Sequence, residues 1–169
     1  LVVLENTANK GGGSYYTLDE IKPIRQLCLA KNLKLHLDGA RLYNALVETG
    51  ESTIDVGNQF DSISICLSKG LGAPVGSLLI GNQNFIKQAR RFRKVMGGGM
   101  RQAGYLAAAG IFALENNIER LKDDHRRARK IGEVLETCAF VGEIRPIKTN
   151  ILIFDVKPPY TAASFLEKI

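Results

Sequence analysis

Apolar positions recur along the chain with two different spacings, and the switches between them mark alternating strands and helices. Leu1-Val2-Val3-Leu4 opens a strand over residues 1–6, and a loop with Gly11, Gly12 and Gly13 follows. Thr17-Leu18-Asp19-Glu20 has the spacing of a capping box and starts a helix with Ile21, Ile24, Leu27 and Cys28 on one face. Pro23 comes early enough to bend this helix rather than end it. Residues 33–38 alternate Leu33, Leu35 and Leu37 with Lys34, His36 and Asp38, a strand that stops at Gly39. A helix is expected near 41–48. Residues 62–68 alternate again, with Ile63, Ile65 and Leu67 against Ser64, Cys66 and Ser68, until Gly70, Gly72, Pro74 and Gly76 forbid continuation. A strand at 77–81 and a basic helix at 84–95 follow. A long helix is expected to start near Arg101 and run past Glu115. Another ends near Cys138, residues 149–155 read as a late strand, and Pro158-Pro159 closes it. The element order is that of an α/β fold.

Two of these strands end on ionisable residues. Lys69 stands where the 62–68 strand meets its glycine-punctuated loop, between Leu67 and Leu71. Partial desolvation there would favour the neutral amine and make it a nucleophile toward a carbonyl, the environment of a Schiff-base lysine. Asp38 ends the 33–38 strand. In an α/β sheet the ligand crevice lies beyond the carboxyl ends of parallel strands, so Asp38 and Lys69 are placed to aim at one ligand. A carboxylate facing a pyridinium nitrogen and a lysine joined to an aldehyde are the two protein groups that pyridoxal 5'-phosphate most requires.

The glycine run Gly97-Gly98-Gly99 precedes Arg101. Glycines reach backbone conformations closed to other residues, and a helix N-terminus after them favours an anion. A phosphate suits this place, with Arg101 as a bidentate donor and Lys94 as a point charge.

The remaining charge has a plainer reading. The net charge is +6, with clusters at Arg90, Arg91, Arg93 and Lys94 and at Arg126, Arg127, Arg129 and Lys130. Nucleic-acid binding is not expected, because Asp123, Asp124 and Glu133 intersperse the second cluster and no aromatic residues interleave with it as a stacking surface. The two histidines, His36 and His125, lack a second ligand at metal spacing; they read as a core strand histidine and a solvated helix histidine. Cys28, Cys66 and Cys138 fall in apolar patterns without disulfide or zinc spacing, which points to buried, reduced thiols and a cytoplasmic protein. No run of about 18 apolar residues is present that could span a bilayer as a helix.

Three motifs in order carry a resemblance. His36-Leu37-Asp38-Gly39-Ala40-Arg41-Leu42, the lysine loop at 65–77, and Met96-Gly97-Gly98-Gly99-Met100-Arg101-Gln102 together resemble the low-specificity L-threonine aldolases. Leu4-Glu5-Asn6-Thr7 before the first glycine run also resembles them, and the likeness runs to about Phe154. Ala8 departs from relatives that often carry histidine there.

The resemblance implies a pyridoxal-phosphate enzyme of the aspartate-aminotransferase-like fold, fold type I, with a mostly parallel sheet. It implies that residues 1–120 belong to the large cofactor domain. Residues 121–169 would then be a linker helix and the beginning of a smaller C-terminal α+β domain. It assigns Lys69 to the cofactor aldehyde, Asp38 to the ring nitrogen, and Arg41 to the phenolic oxygen and substrate carboxylate. Arg101 is assigned to the cofactor phosphate. In the family that arginine reaches the cofactor of a neighbouring subunit, which implies a homodimer or homotetramer. The implied substrates are β-hydroxy-α-amino acids, threonine or allo-threonine, cleaved to glycine and an aldehyde. At 169 residues the chain is expected to be a middle piece, with a phosphate loop and ring-stacking histidine upstream and a carboxylate-binding arginine downstream. An aminotransferase, a cysteine desulfurase and a non-catalytic assembly module remain as alternatives.

Overall fold

The computed structural model describes residues 1–167. Its main sheet is built from β1 (Val2–Glu5), β2 (Leu35–Gly39), β3 (Ser62–Cys66) and β4 (Ser77–Gly81), in that spatial order. The first three strands are parallel, and β4 runs antiparallel to β3. Connection length explains the difference. Parallel neighbours need a crossover; α1 (Leu18–Ala30) carries β1 to β2, and α2 (Leu42–Thr49) with α3 (Thr53–Gly57) carries β2 to β3. Only a short helix-free loop separates β3 from β4, so the chain turns back on itself.

The alternation of the strands sorts their faces. Leu35 and Leu37 of β2 and Ile63 and Ile65 of β3 are buried, and they pack with Leu4, with Ile21 and Cys28 of α1, and with Leu42 and Leu46 of α2. Burial of each such aliphatic side chain contributes about 1.5–3 kcal/mol. On the opposite face His36 and Asp38 alternate with them, and Glu5, Asp38 and Ser64 are register partners in one row across the three parallel strands. His36 is only partly buried, and its Nδ1 lies 2.7 Å from Ser62 Oγ. It belongs to this polar face rather than to the core.

Asp61, just before β3, ties the layers together. It accepts from the Leu35 N–H at 3.0 Å, from Arg25 of α1 at 2.6 Å and from Lys34 at 3.0 Å. The backbone donor, with the two cations, holds its carboxyl at about 2, well below the usual range.

The remaining helices are α4 (Gln83–Val95), α5 (Gly104–Asn116), α6 (Leu121–Glu136) and α7 (Ala162–Leu166), and a second sheet pairs β5 (Val141–Ile144) with β6 (Phe154–Val156) antiparallel. Three expectations shift, and two short elements were not foreseen. The late strand begins at Phe154 rather than Thr149, because Thr149 is buried and its hydroxyl donates to the Gly13 carbonyl at 3.0 Å. β5 and α3 were not legible, being four and five residues long. Ser52 caps α3 by accepting from Ile54 at 3.2 Å. The long helix opens at Gly104, beyond Arg101. In α1, which does carry Pro23, the Thr17 N–H donates to Glu20 as the capping pattern requires, at 2.8 Å, but Leu27 faces solvent while Ile21 and Cys28 are buried.

Candidate active site

The carboxyl ends of β1, β2 and β3 lie side by side, and each releases a short segment with polar groups. From β1 comes Asn6, whose buried side chain is fully engaged: Oδ1 accepts from the Tyr16 N–H at 2.9 Å and Nδ2 donates to the Tyr16 carbonyl at 3.0 Å. Its backbone joins the next strand, receiving Arg41 N–H at its carbonyl at 3.1 Å and donating to Asp38 O at 2.9 Å. Gly39 is required here by close approach, since a Cβ would stand 2.5 Å from the Ser64 carbonyl oxygen. Arg41 then occupies the residue before the first turn of α2, half-buried.

From β3 comes the lysine loop. Leu67 N–H donates to Gly76 O at 3.0 Å, Ala73 N–H to Leu67 O at 3.1 Å and Gly72 N–H to Lys69 O at 2.8 Å. Gly72 has φ +76°, in the left-handed region that favours glycine. The loop is thus a closed turn. Lys69 extends from it and donates through Nζ to Cys66 Sγ at 3.3 Å.

Arg41, Asn44, Cys66, Lys69 and Gly70 line one small hollow. Asp38 lies on the neighbouring strand, partly buried, in register with Ser64. Three of the residues singled out in the sequence therefore converge on one group of strand ends. Lys94, in the last turn of α4, and Arg101, in the loop before α5, are exposed and do not line the hollow.

The expected desolvation of Lys69 is not what the fold provides. Leu67 and Leu71 are both buried, but they turn into the core and leave the lysine exposed between them. The anion site expected at a helix start also shifts, because α5 begins three residues after Arg101 and Ala103 offers no side-chain cap. Among the hollow's other residues, burial pushes the Tyr43 phenol above its ordinary value.

His125 reverses the sequence reading. It is not solvated but 1% exposed, with Nδ1 2.8 Å from Glu48 Oε2 and Nε2 3.1 Å from Asn44 Nδ2. A carboxylate beside Nδ1 places the proton of the neutral ring there, leaving Nε2 to accept from the Asn44 amide. Glu48 is also paired with Arg129. The missed signal was the stripe Leu121, His125, Ala128 and Gly132, all buried at helical spacing inside a charge-rich stretch. The other charges of α6 fit the plain reading, Arg126 pairing with Asp123 at 2.8 Å and Arg127 with Asp124 at 3.5 Å.

Cys28, Cys66 and Cys138 are free thiols, but only Cys28 is buried, Cys66 and Cys138 being partly exposed, contrary to expectation; no group of three or more metal-ligating side chains occurs among the described residues.

Comparison with known proteins agrees with this geometry. A family model described as beta-eliminating lyase matches residues 1–158. The chain is 45% identical over 163 residues to the low specificity L-threonine aldolase of Escherichia coli K12, covering 96% of this chain and 47% of that protein. It is 41% identical over 157 residues to the low-specificity L-threonine aldolase of Candida albicans, covering 93% and 41%. A solved structure from Exiguobacterium sp. 255-15, provisionally described as an aromatic amino acid beta-eliminating lyase/threonine aldolase, superposes with TM-score 0.79 at 27% identity, covering 88% of this chain and 42% of that one. The chain spans less than half the length of the relatives it matches.

Proposed function

The chain belongs to the beta-eliminating lyase family, and from that premise we propose that the whole protein is a pyridoxal 5'-phosphate-dependent aldolase cleaving L-threonine or L-allo-threonine to glycine and acetaldehyde. The observation that carries this reading is the convergence of Lys69 and Arg41 on one hollow, with Asp38 on the adjacent strand. The relatives named threonine aldolase support the choice of substrate.

The donor set fits the cofactor. It offers one amine for an aldehyde, one carboxylate for a cationic ring nitrogen and one guanidinium for an anionic oxygen. When bound, the cofactor supplies an electron sink for the pair left behind as the Cα–Cβ bond breaks. Lys69 would hold the aldehyde carbon and yield that place to the substrate amine. Asp38 would keep the ring nitrogen protonated, its carboxylate being stabilised in turn by the cation it faces. Arg41, anchored through its own N–H to Asn6, would orient the substrate carboxylate and the phenolic oxygen. Arg101 and Lys94 would neutralise the phosphate. Because neither lines the hollow of its own chain, their exposure suits a site completed by a second copy, and a homodimer or homotetramer is part of the proposal.

Residues 1–120 would then form part of the cofactor domain, with α6 the link to a smaller domain begun by β5 and β6. A cytoplasmic location is proposed with the activity; no helix among the described residues is long and apolar enough to cross a membrane.

The test is incubation of the full-length protein with pyridoxal phosphate and L-allo-threonine, followed by assays for acetaldehyde and glycine. Stoichiometric release of both is expected. Conversion of the amino acid to a keto acid without aldehyde would reject the aldolase reading in favour of an aminotransferase.

A further inference from the structure

The lysine loop is held from outside its own strand. Asn117 Nδ2 donates to the Leu71 carbonyl at 2.7 Å, and Arg120 Nη2 donates to the Gly70 carbonyl at 2.9 Å. These donors follow the loop by 46 and 50 residues. Asn117 is the residue that follows α5 and Arg120 the residue that precedes α6. Leu121, the first residue of α6, is fully buried, and a Cβ on Gly70 would stand 2.8 Å from its Cδ2. A third anchor reaches the hollow from the same helix, where buried His125 meets Asn44 at 3.1 Å. Thus the two carbonyls that follow Lys69, and the wall beside it, are fixed by three side chains within one nine-residue stretch.

We propose that the α5–α6 junction, through Asn117 and Arg120, positions Lys69. Both are positioning residues, acting on the lysine through its loop. The physical reason is local. Gly70 and Gly72 make the loop deformable, and its internal hydrogen bonds close the turn without fixing where the turn sits. Two donors from a helix junction, one of them a cation against a carbonyl, supply that reference. The same helix packs on α2 beside the hollow and on β5 of the second sheet.

The inference rests on Lys69 being the residue that holds the cofactor, and the experiment separates the two. The full-length protein, Arg120→Met, Arg120→Lys and Asn117→Asp are each incubated with pyridoxal phosphate, reduced with borohydride at timed intervals, and digested to locate the fixed cofactor. Amide hydrogen exchange is followed in parallel over residues 68–73 and over β3. In the parent protein the cofactor should be fixed on Lys69. Arg120→Met and Asn117→Asp should slow its fixation about fivefold to tenfold, as loss of one hydrogen bond allows, and speed exchange in 68–73 while leaving β3 unchanged. Arg120→Lys, which keeps the cation on a shorter donor, should recover part of both. A cofactor fixed elsewhere in the parent protein overturns the assignment of Lys69 and this proposal with it. Fixation on Lys69 at parental rate, with parental exchange across 68–73 in the three variants, overturns the proposal alone. Should one variant fail to fold, the other site and the Arg120→Lys pair still decide.

Discussion

The Nζ of Lys69 donates to the sulfur of Cys66 at 3.3 Å, across the start of the loop that leaves β3. The contact holds the amine over the strand end, on the side where Arg41 shares its hollow. An exposed lysine is thereby given a defined direction without burial. Its role is directly testable. Lys69→Ala in the full-length protein should abolish any borohydride-fixed pyridoxal phosphate. An adduct surviving in this variant would move the role to another lysine.

Asp38 sits between Glu5 and Ser64 in the row of register partners. Asp38→Asn keeps its shape and removes its charge. Turnover should fall by about 10²- to 10³-fold, the scale of removing one electrostatic contact to developing charge, while cofactor affinity weakens only modestly. Near-parental turnover would make the residue structural.

Asp61 allows a prediction about pH. Its folded-state value of about 2 lies below the ordinary 3.8, owing first to the Leu35 N–H and then to Lys34 and Arg25. A depressed carboxyl stabilises the fold fully above its unfolded value, and that contribution is lost as pH falls toward the folded one. Asp61→Asn should therefore cost on the order of 1–2 kcal/mol at neutral pH, and the difference from the parent protein should shrink between about pH 4 and pH 2. Denaturant melts of both proteins across that range would check it, and a constant difference would refute it.

The strands that lead to Asp38 and Lys69 were legible because each alternates one buried and one polar face, although β3 ends at Cys66, three residues before Lys69, which stands in the loop rather than at the strand end. What sequence periodicity did not reveal depends on contacts between distant segments. Lys69 reads as desolvated from its leucine neighbours, yet both leucines point into the core. His125 reads as solvated among Asp124, Arg126 and Arg127, yet its own stripe faces Asn44 and Glu48 on α2. Asn117 and Arg120 carry no local pattern at all; their meaning lies in carbonyls on a loop far upstream. β5 is short and contains Gly142, and pairing with β6 rather than intrinsic propensity makes it a strand.

Gly39 and Gly70 offer the last prediction, because both stand where a side chain would meet an occupied space, but of different kinds. A Cβ at Gly39 would come 2.5 Å from the backbone oxygen of Ser64, in the middle of the sheet, and 3.2 Å from Leu42 Cβ. A Cβ at Gly70 would meet the side chain of Leu121 at 2.8 Å, with Asn44 Oδ1 at 3.6 Å. A ladder carbonyl has no room to retreat without breaking the β2–β3 pairing, whereas a leucine side chain has other rotamers, at the overpacking cost of about 1–3 kcal/mol. Gly39→Ala should therefore destabilise the full-length protein more than Gly70→Ala, as read from thermal or denaturant midpoints. Gly70→Ala should instead show its effect at the loop, speeding amide exchange over residues 68–73 by more than its change in stability accounts for. Equal destabilisation by the two, with no excess exchange at the loop, would mean that the Leu121 contact does not constrain the lysine segment.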